Sequence, residues 1–229
     1  MSTNPVTDAG SARLFWAFRP PDDVVREAAD LLRGLQAPCQ KLGYQVTWVR
    51  ASSMHTTLKF LGDVPAARVP ELVARAQRGM AMQPMAPAIV RLRGLGAFPQ
   101  ADKPKVLWIG VQGESGSNQA RLGAIATAVE DWMVELGFPR EERPYRAHLT
   151  LGRVRDRRMP RGAAAPAGRD ATLSADAWRR GLSDLFGSYA DRAVGSAFAL
   201  KEIILYESRL GSDAPEYVPL ATLPVHGGK

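Results

Sequence analysis

The sequence predicts an α+β fold made of two strand–helix–strand halves, each bringing one copy of a short motif to a shared groove. Three observations point there. The string His55-Thr56-Thr57-Leu58 recurs as His148-Leu149-Thr150-Leu151, and these copies hold two of the three histidines in 229 residues. Each copy is preceded by a matching apolar run, Leu14-Phe15-Trp16-Ala17 in one half and Val106-Leu107-Trp108-Ile109 in the other, followed by a helical stretch. The registers agree to one residue: Trp16 to His55 is 39 positions and Trp108 to His148 is 40.

In order along the chain, Arg13-Leu14-Phe15-Trp16-Ala17-Phe18 reads as a buried strand stopped by Pro20-Pro21, after which Asp22 or Asp23 can cap a helix. Val24, Ala28, Leu31, Leu32 and Leu35 give that helix an apolar face, and Pro38 and Gly43 place a loop after it. A short strand over 46–49 leads to the first motif strand, 54–61, which Gly62 ends. A second helix carries Val69, Leu72, Val73, Ala76 and Met80, and strands follow over 88–95 and 106–111. Leu122, Ile125, Val129, Trp132, Met133 and Leu136 mark an amphipathic helix with Gly137 as its C-cap. The second motif strand spans 147–154. Residues 155–170, rich in Arg, Ala, Pro and Gly, read as a flexible basic loop. A last helix with Trp178, Leu182, Leu185, Phe186 and Tyr189 precedes two closing strands over 200–209 and 217–224, joined by a turn at Gly211-Ser212-Asp213.

Composition narrows the class. An apolar content of 45% predicts a well-buried globular chain, and the single cysteine, Cys39, leaves neither a disulfide framework nor a cysteine zinc cluster. Cys39 reads as a packing residue in a reducing, cytoplasmic setting. No apolar run approaches the roughly 20 residues of a membrane span, and residues 1–12 are polar, read as a disordered start without a hydrophobic signal core. The net charge of +7 favours polyanionic partners, although arginine-rich and alanine-rich composition accounts for part of it.

The motif itself carries chemistry. Side chains alternate along a strand, so His and Thr at i and i+2 point to one face while Thr56, Leu58, Phe60, Leu149 and Leu151 turn to the other. Two imidazoles facing one groove can serve as general base and general acid near neutral pH. Phosphodiester cleavage needs that division of labour, and Thr57 and Thr150 can donate hydrogen bonds to non-bridging phosphate oxygens. No carboxylate sits at ligand spacing beside either motif, so no metal site is expected. Gly113-Glu114-Ser115-Gly116 lacks the nucleophile-elbow pattern, and Gly94-Leu95-Gly96 lacks the third glycine of a dinucleotide fingerprint. A single His-x-Thr is commonplace in strands; two copies in matched contexts favour function.

With these strings, together with Trp48-Val49-Arg50, Lys59-Phe60-Leu61-Gly62, Gly152-Arg153 and Leu205-Tyr206-Glu207-Ser208, the chain resembles the two-histidine phosphoesterase superfamily. Within it the likeness is to the RNA 2′,3′-cyclic phosphodiesterases, long called 2′-5′ RNA ligases, and it covers residues 13–225. The resemblance implies a bilobal fold with two antiparallel sheets lining a basic central cleft and helices on the outside. It also implies metal-independent, cofactor-free opening of a ribose 2′,3′-cyclic phosphate to a 2′-phosphate, with His55 as proton donor and His148 as acceptor. RNA ends or cyclic nucleotides would be the substrate of a monomer that needs no protein partner and no membrane.

The family pattern puts an arginine on the phosphate, here Arg153, and an aromatic near the base, here Phe15. Strict alternation turns Arg153 away from His148, so it reaches the cleft only if the strand bulges or ends at Gly152. Lys59 reads as solvated, although its parity with His55 would let it add charge to the cleft. The 155–170 loop either contacts longer RNA or is solvated, and the tail 226–229 is read as disordered. Two alternatives stay open: a related two-histidine enzyme acting on 2′-5′ linkages or another nucleotide phosphodiester, and an RNA-binding protein without turnover.

Overall fold

β1 (Ser11–Phe18) sits between two apolar environments, which is why its sequence lacks the alternation of a half-exposed strand. Ala12, Leu14, Trp16 and Phe18 enter the main core, while Phe15 and Ala17 join a small cluster with Ile204 and Tyr206. A computed structural model describes residues 10–101, 103–157, 175–211 and 215–227. Around β1 it shows two antiparallel sheets: one of four strands in the order β3-β1-β8-β9, the other of five in the order β2-β6-β5-β4-β7. The strands are β2 (Tyr44–Trp48), β3 (Thr56–Pro65), β4 (Ile89–Phe98), β5 (Val106–Gly113), β6 (His148–Arg157), β7 (Ala193–Ala199), β8 (Glu202–Leu210) and β9 (Pro215–Pro224). The helices are α1 (Asp22–Lys41), α2 (Val69–Met82), α3 (Gly116–Glu135) and α4 (Ala175–Gly187).

Helical residues such as Val24, Ala28, Leu72, Leu122, Ile125 and Val129 share one core with Leu14 and Trp16 of β1 and Leu107 and Ile109 of β5. The helices therefore cover the sheet faces opposite the motif histidines, as the expected layering requires. α3 begins where the Ser115 hydroxyl accepts from the Asn118 N–H, so the serine of the rejected nucleophile pattern is a helix cap. It ends before Gly137, whose φ of +87° suits the left-handed turn that closes a helix.

Several boundaries differ from expectation. α1 runs through Pro38 to Lys41, because Leu35 and Cys39, each 1% exposed, bury on its inner face and outweigh the one backbone bond that proline forgoes. β3 continues past Gly62 to Pro65, Gly62 taking a φ of +74° at a bulge instead of ending the strand. β1 already starts at Ser11, inside the stretch expected to be a floppy terminus, and β6 extends to Arg157, into the expected basic loop. The rest of that loop, residues 158–170, lies outside the described residues, as do 171–174, 1–9, the closing turn at 212–214 and the last two residues of the tail. β7 has no counterpart among the expected strands, since Gly195 interrupts a run in which only Val194 and Phe198 bury. Among the described residues no helix is long and apolar enough to cross a membrane.

Both motif strands bulge at the same place. Opposite β1, Ala17 pairs with Thr57 and Trp16 with Lys59, leaving Leu58 as the extra residue; opposite β5, Trp108 pairs with Thr150 and Leu107 with Gly152, leaving Leu151 extra. The Leu58 bulge reverses the faces downstream. Lys59, expected in solvent, turns into the core at 7% exposure, where its Nζ donates to Glu130 Oε1 and to the Pro139 carbonyl, both at 2.6 Å. Phe60, expected to bury, is 65% exposed on the other face.

A buried charge without its partner is costly, whereas an apolar pair of similar volume is nearly neutral. Lys59→Met is expected to destabilise by about 3–5 kcal/mol by stranding the Glu130 carboxylate, and Lys59→Met with Glu130→Leu to recover most of that loss. Urea unfolding of both variants measures the difference; equal stability of the two would contradict a buried, paired Lys59.

Candidate active site

His55 stands immediately before β3, held by a hydrogen bond from its Nδ1 to the Ser53 carbonyl at 2.8 Å. A carbonyl only accepts, so Nδ1 carries the proton and Nε2 keeps the lone pair. Its ring packs against Phe15 and Tyr217, with centroids 4.9 and 4.8 Å away, and Tyr206 lies at 6.3 Å. Burial among these aromatics pushes its pKa down to about 4; the Ser53 carbonyl pulls the other way, and the charges of His148 and Arg153 lower it further.

The second lobe repeats the arrangement. His148 opens β6, and its Nδ1 donates to the carbonyl of Arg146 at 2.7 Å, again two residues upstream. Phe98 presents its ring at 4.9 Å in an edge contact, Trp108 lies at 6.0 Å, and the Arg146 guanidinium covers Trp108 at 5.4 Å. Burial lowers the His148 pKa below the ordinary imidazole value, the Arg146 carbonyl opposes it, and the Arg146 and Arg153 charges add to it. Both imidazoles are therefore neutral at pH 7 in the unliganded protein.

The bulges decide what stands beside the histidines. Thr57 opposes Ala17 on the face that carries Phe15, and Thr150 opposes Trp108 on the face that carries His148. Past Leu151 the parity reverses, so Arg153 pairs with Val106 and Thr47 and lies on the same face as His148 and Thr150. The bulge that alternation demanded for Arg153 is present. Its charge acts on both histidines and, against the burial that raises the Tyr217 hydroxyl, on Tyr217 of the facing sheet. By the same register Phe60 stands in the first lobe where Arg153 stands in the second.

Phe15 belongs to the site but not in the expected way. It is 3% exposed, with its ring 5.5 Å from Tyr206, 5.2 Å from Tyr217 and 5.9 Å from Phe60, so it forms the floor under His55 and has no open face for a base. Phe60 is the open aromatic on that face. Sequence reasoning passed over Phe60, Tyr206, Tyr217, Phe98 and Trp108; Trp108 reaches the site through its cross-strand pairing with Thr150, which no counting along the motif strand finds, and Phe60 only through the Leu58 bulge.

Among the described residues no group of three His, Cys, Asp or Glu is arranged to hold a metal ion. A cavity of about 370 Å³ lies elsewhere, lined by Phe18, Arg19, Asp22, Lys201, Glu202 and Ile204, and none of the residues around the histidines lines it. What the histidine site offers is two imidazoles anchored through Nδ1, two hydroxyls and a guanidinium: the parts of an acid–base site for an anionic ester.

Residues 18–108 match the family described as LigT like phosphoesterase. A protein of Archaeoglobus fulgidus named RNA 2′,3′-cyclic phosphodiesterase is 32% identical over 143 residues, covering 62% of this chain and 73% of that protein. One of the same name from Geobacillus stearothermophilus is 29% identical over 79% of this chain, which spans only 48% of that longer relative. TT0787 of Thermus thermophilus superposes with a TM-score of 0.66 at 23% identity, covering 95% of this chain and all of that one. Escherichia coli LigT in its apo form superposes with a TM-score of 0.64 at 20% identity over 95% of this chain and 99% of its own. With the same two-sheet fold, and with an Archaeoglobus relative aligned over more than two thirds of its length at this identity, the chain belongs to the LigT-like phosphoesterase family.

Proposed function

We propose that the protein hydrolyses RNA or nucleoside 2′,3′-cyclic phosphates to 2′-phosphates, with His55 and His148 as a general acid–base pair and without a metal. The observation that carries this reading is the pair of carbonyl-anchored imidazoles on facing sheets with Arg153 acting on both. The relatives' shared name supports the substrate class, and Escherichia coli LigT, of the same fold, has been solved with 3′-AMP and with phosphate.

In this reading His148 Nε2 takes a proton from water as its oxygen attacks phosphorus, and the bond to the 3′ oxygen breaks opposite the new one. His55 Nε2 gives its proton to that departing oxygen. Only the oxygen in line with the water can leave, so the pose of the ribose decides that the phosphate stays on the 2′ oxygen. Thr57 and Thr150 donate to non-bridging oxygens and Arg153 balances the charge that gathers there. Phe60, resting on Phe15, offers the base its open face. His55 is neutral in the empty site and gains its proton when the anionic phosphate arrives, since a nearby negative charge favours imidazolium. One chain supplies both histidines, so a monomer acting in the cytoplasm suffices.

His55→Ala and His148→Ala should each lower turnover of 2′,3′-cyclic AMP by roughly 10²–10⁴-fold. His226→Ala should match the wild type, and phosphorus NMR should show a 2′-phosphate. Near-wild-type turnover in His148→Ala would sink the mechanism, and a 3′-phosphate product would reverse the roles or the pose.

The pH dependence has a definite sign. Because both pKa values are depressed in the free protein, the protonated donor disappears as pH rises. The kcat/KM profile is therefore expected to be bell-shaped with its maximum below pH 6.5, whereas bound phosphate raises the pair and moves the kcat maximum to higher pH. A kcat/KM that climbs steadily through neutrality would contradict the neutral pair. Turnover should also survive excess EDTA; loss on chelation, restored by one divalent ion, would turn the assignment into a metallophosphodiesterase.

A further inference from the structure

The Leu58 bulge sends its two neighbours in opposite directions, and both end on one segment of the other half, residues 139–146. On the core side, Lys59 Nζ donates to the Pro139 carbonyl and to Glu130 Oε1, and that same Glu130 oxygen accepts from the Glu141 N–H at 2.8 Å. On the cleft side, the Tyr145 hydroxyl donates to the Thr57 carbonyl at 3.2 Å. Tyr145 is 40% exposed overall, but its hydroxyl is directed inward, where burial raises its pKa and keeps it a donor across the working pH range. One residue further along, the Arg146 carbonyl receives the Nδ1 proton of His148. The Ala147 carbonyl then joins the sheet by accepting from the Val111 N–H at 3.0 Å.

We propose that Tyr145 and Lys59 are positioning residues: from the first motif strand they hold the 139–146 segment so that the Arg146 carbonyl aims the imidazole of the second motif. The proposal rests on His148 being a reacting group, as inferred above, but its physical content is narrower and separately measurable. The Arg146 peptide is fixed on one side by β5 through Ala147, its guanidinium rests on Trp108, and Tyr145 ties its other side to the first motif strand. Without the hydroxyl that tie is lost, and the carbonyl can swing from its line to Nδ1. Two consequences follow for His148: the Nδ1–H tautomer is no longer enforced, and its imidazolium loses the one neighbour that favours it. The Arg146 and Arg153 charges, which face His148, remain and both disfavour imidazolium, while neutral His55 adds no charge of its own. The midpoint must therefore fall. The Lys59 contacts act on the far end of the same segment.

The test is an imidazole NMR titration of the full chain, feasible because there are three histidines, with His55→Ala and His226→Ala assigning the signals. In the wild type His148 should be the Nδ1–H tautomer. In Tyr145→Phe the tautomers should mix and the midpoint move further down, with kcat for 2′,3′-cyclic AMP lower by roughly tenfold and KM little changed. The stability-preserving pair Lys59→Met with Glu130→Leu should shift both NMR readouts in the same direction, which guards against a variant that merely loosens the fold. Wild-type tautomer and midpoint in both variants overturn the proposal. If the NMR shifts occur but the wild type does not hydrolyse cyclic phosphates, the positioning stands and the functional reading fails.

Discussion

The rest of the structure depends on one extra residue in each motif strand. A strand of strict alternation would carry His148 and Thr150 on one face and Arg153 on the other; the unpaired Leu151 brings all three together. Leu58 does the same in the first lobe, with a different outcome, since the residue delivered to the site is Phe60 and the one delivered to the core is Lys59. The duplication is thus symmetric in backbone and asymmetric in chemistry: a cation on one sheet, an open aromatic on the other. The two histidines thus stand in matched backbone settings with unlike neighbours.

Both imidazoles are desolvated by aromatic side chains and kept from drifting by a main-chain carbonyl two residues upstream. The aromatic shell withholds protons from the empty site, while the carbonyl fixes which nitrogen faces the cleft. Arg153 acts in the same direction as the aromatic shell, because its charge disfavours a proton on either ring.

Much of this was legible in the sequence. The duplicated motif, its matched upstream strand and the intervening helices are all local patterns, and they gave the two strand–helix–strand halves, while the two antiparallel sheets with helices outside came from the family resemblance. The difficulty over Arg153 was itself legible, since alternation forced the choice between a bulge and an absent arginine. What sequence could not supply is which residue a bulge leaves out, because that is set by pairing with strands far along the chain. Lys59 and Phe60 were consequently assigned to each other's faces. The one-residue offset between Trp16 and Trp108 is another case: Trp16 is fully buried in the core, whereas Trp108 lines the His148 face, so the two tryptophans are not equivalents. Phe15 stands beside His55, and the burial that its apolar run predicted is completed by Tyr206 of β8 and Tyr217 of β9, the most distant strands in sequence.

The sheet order has a mechanical meaning. β2, from the first half of the chain, pairs with β6 of the second, and β8 and β9, the last strands, complete the sheet begun by β1 and β3. Neither half is a separable body, and the chain passes between the sheets more than once. Sliding one sheet over the other would have to strain several crossing connections at once.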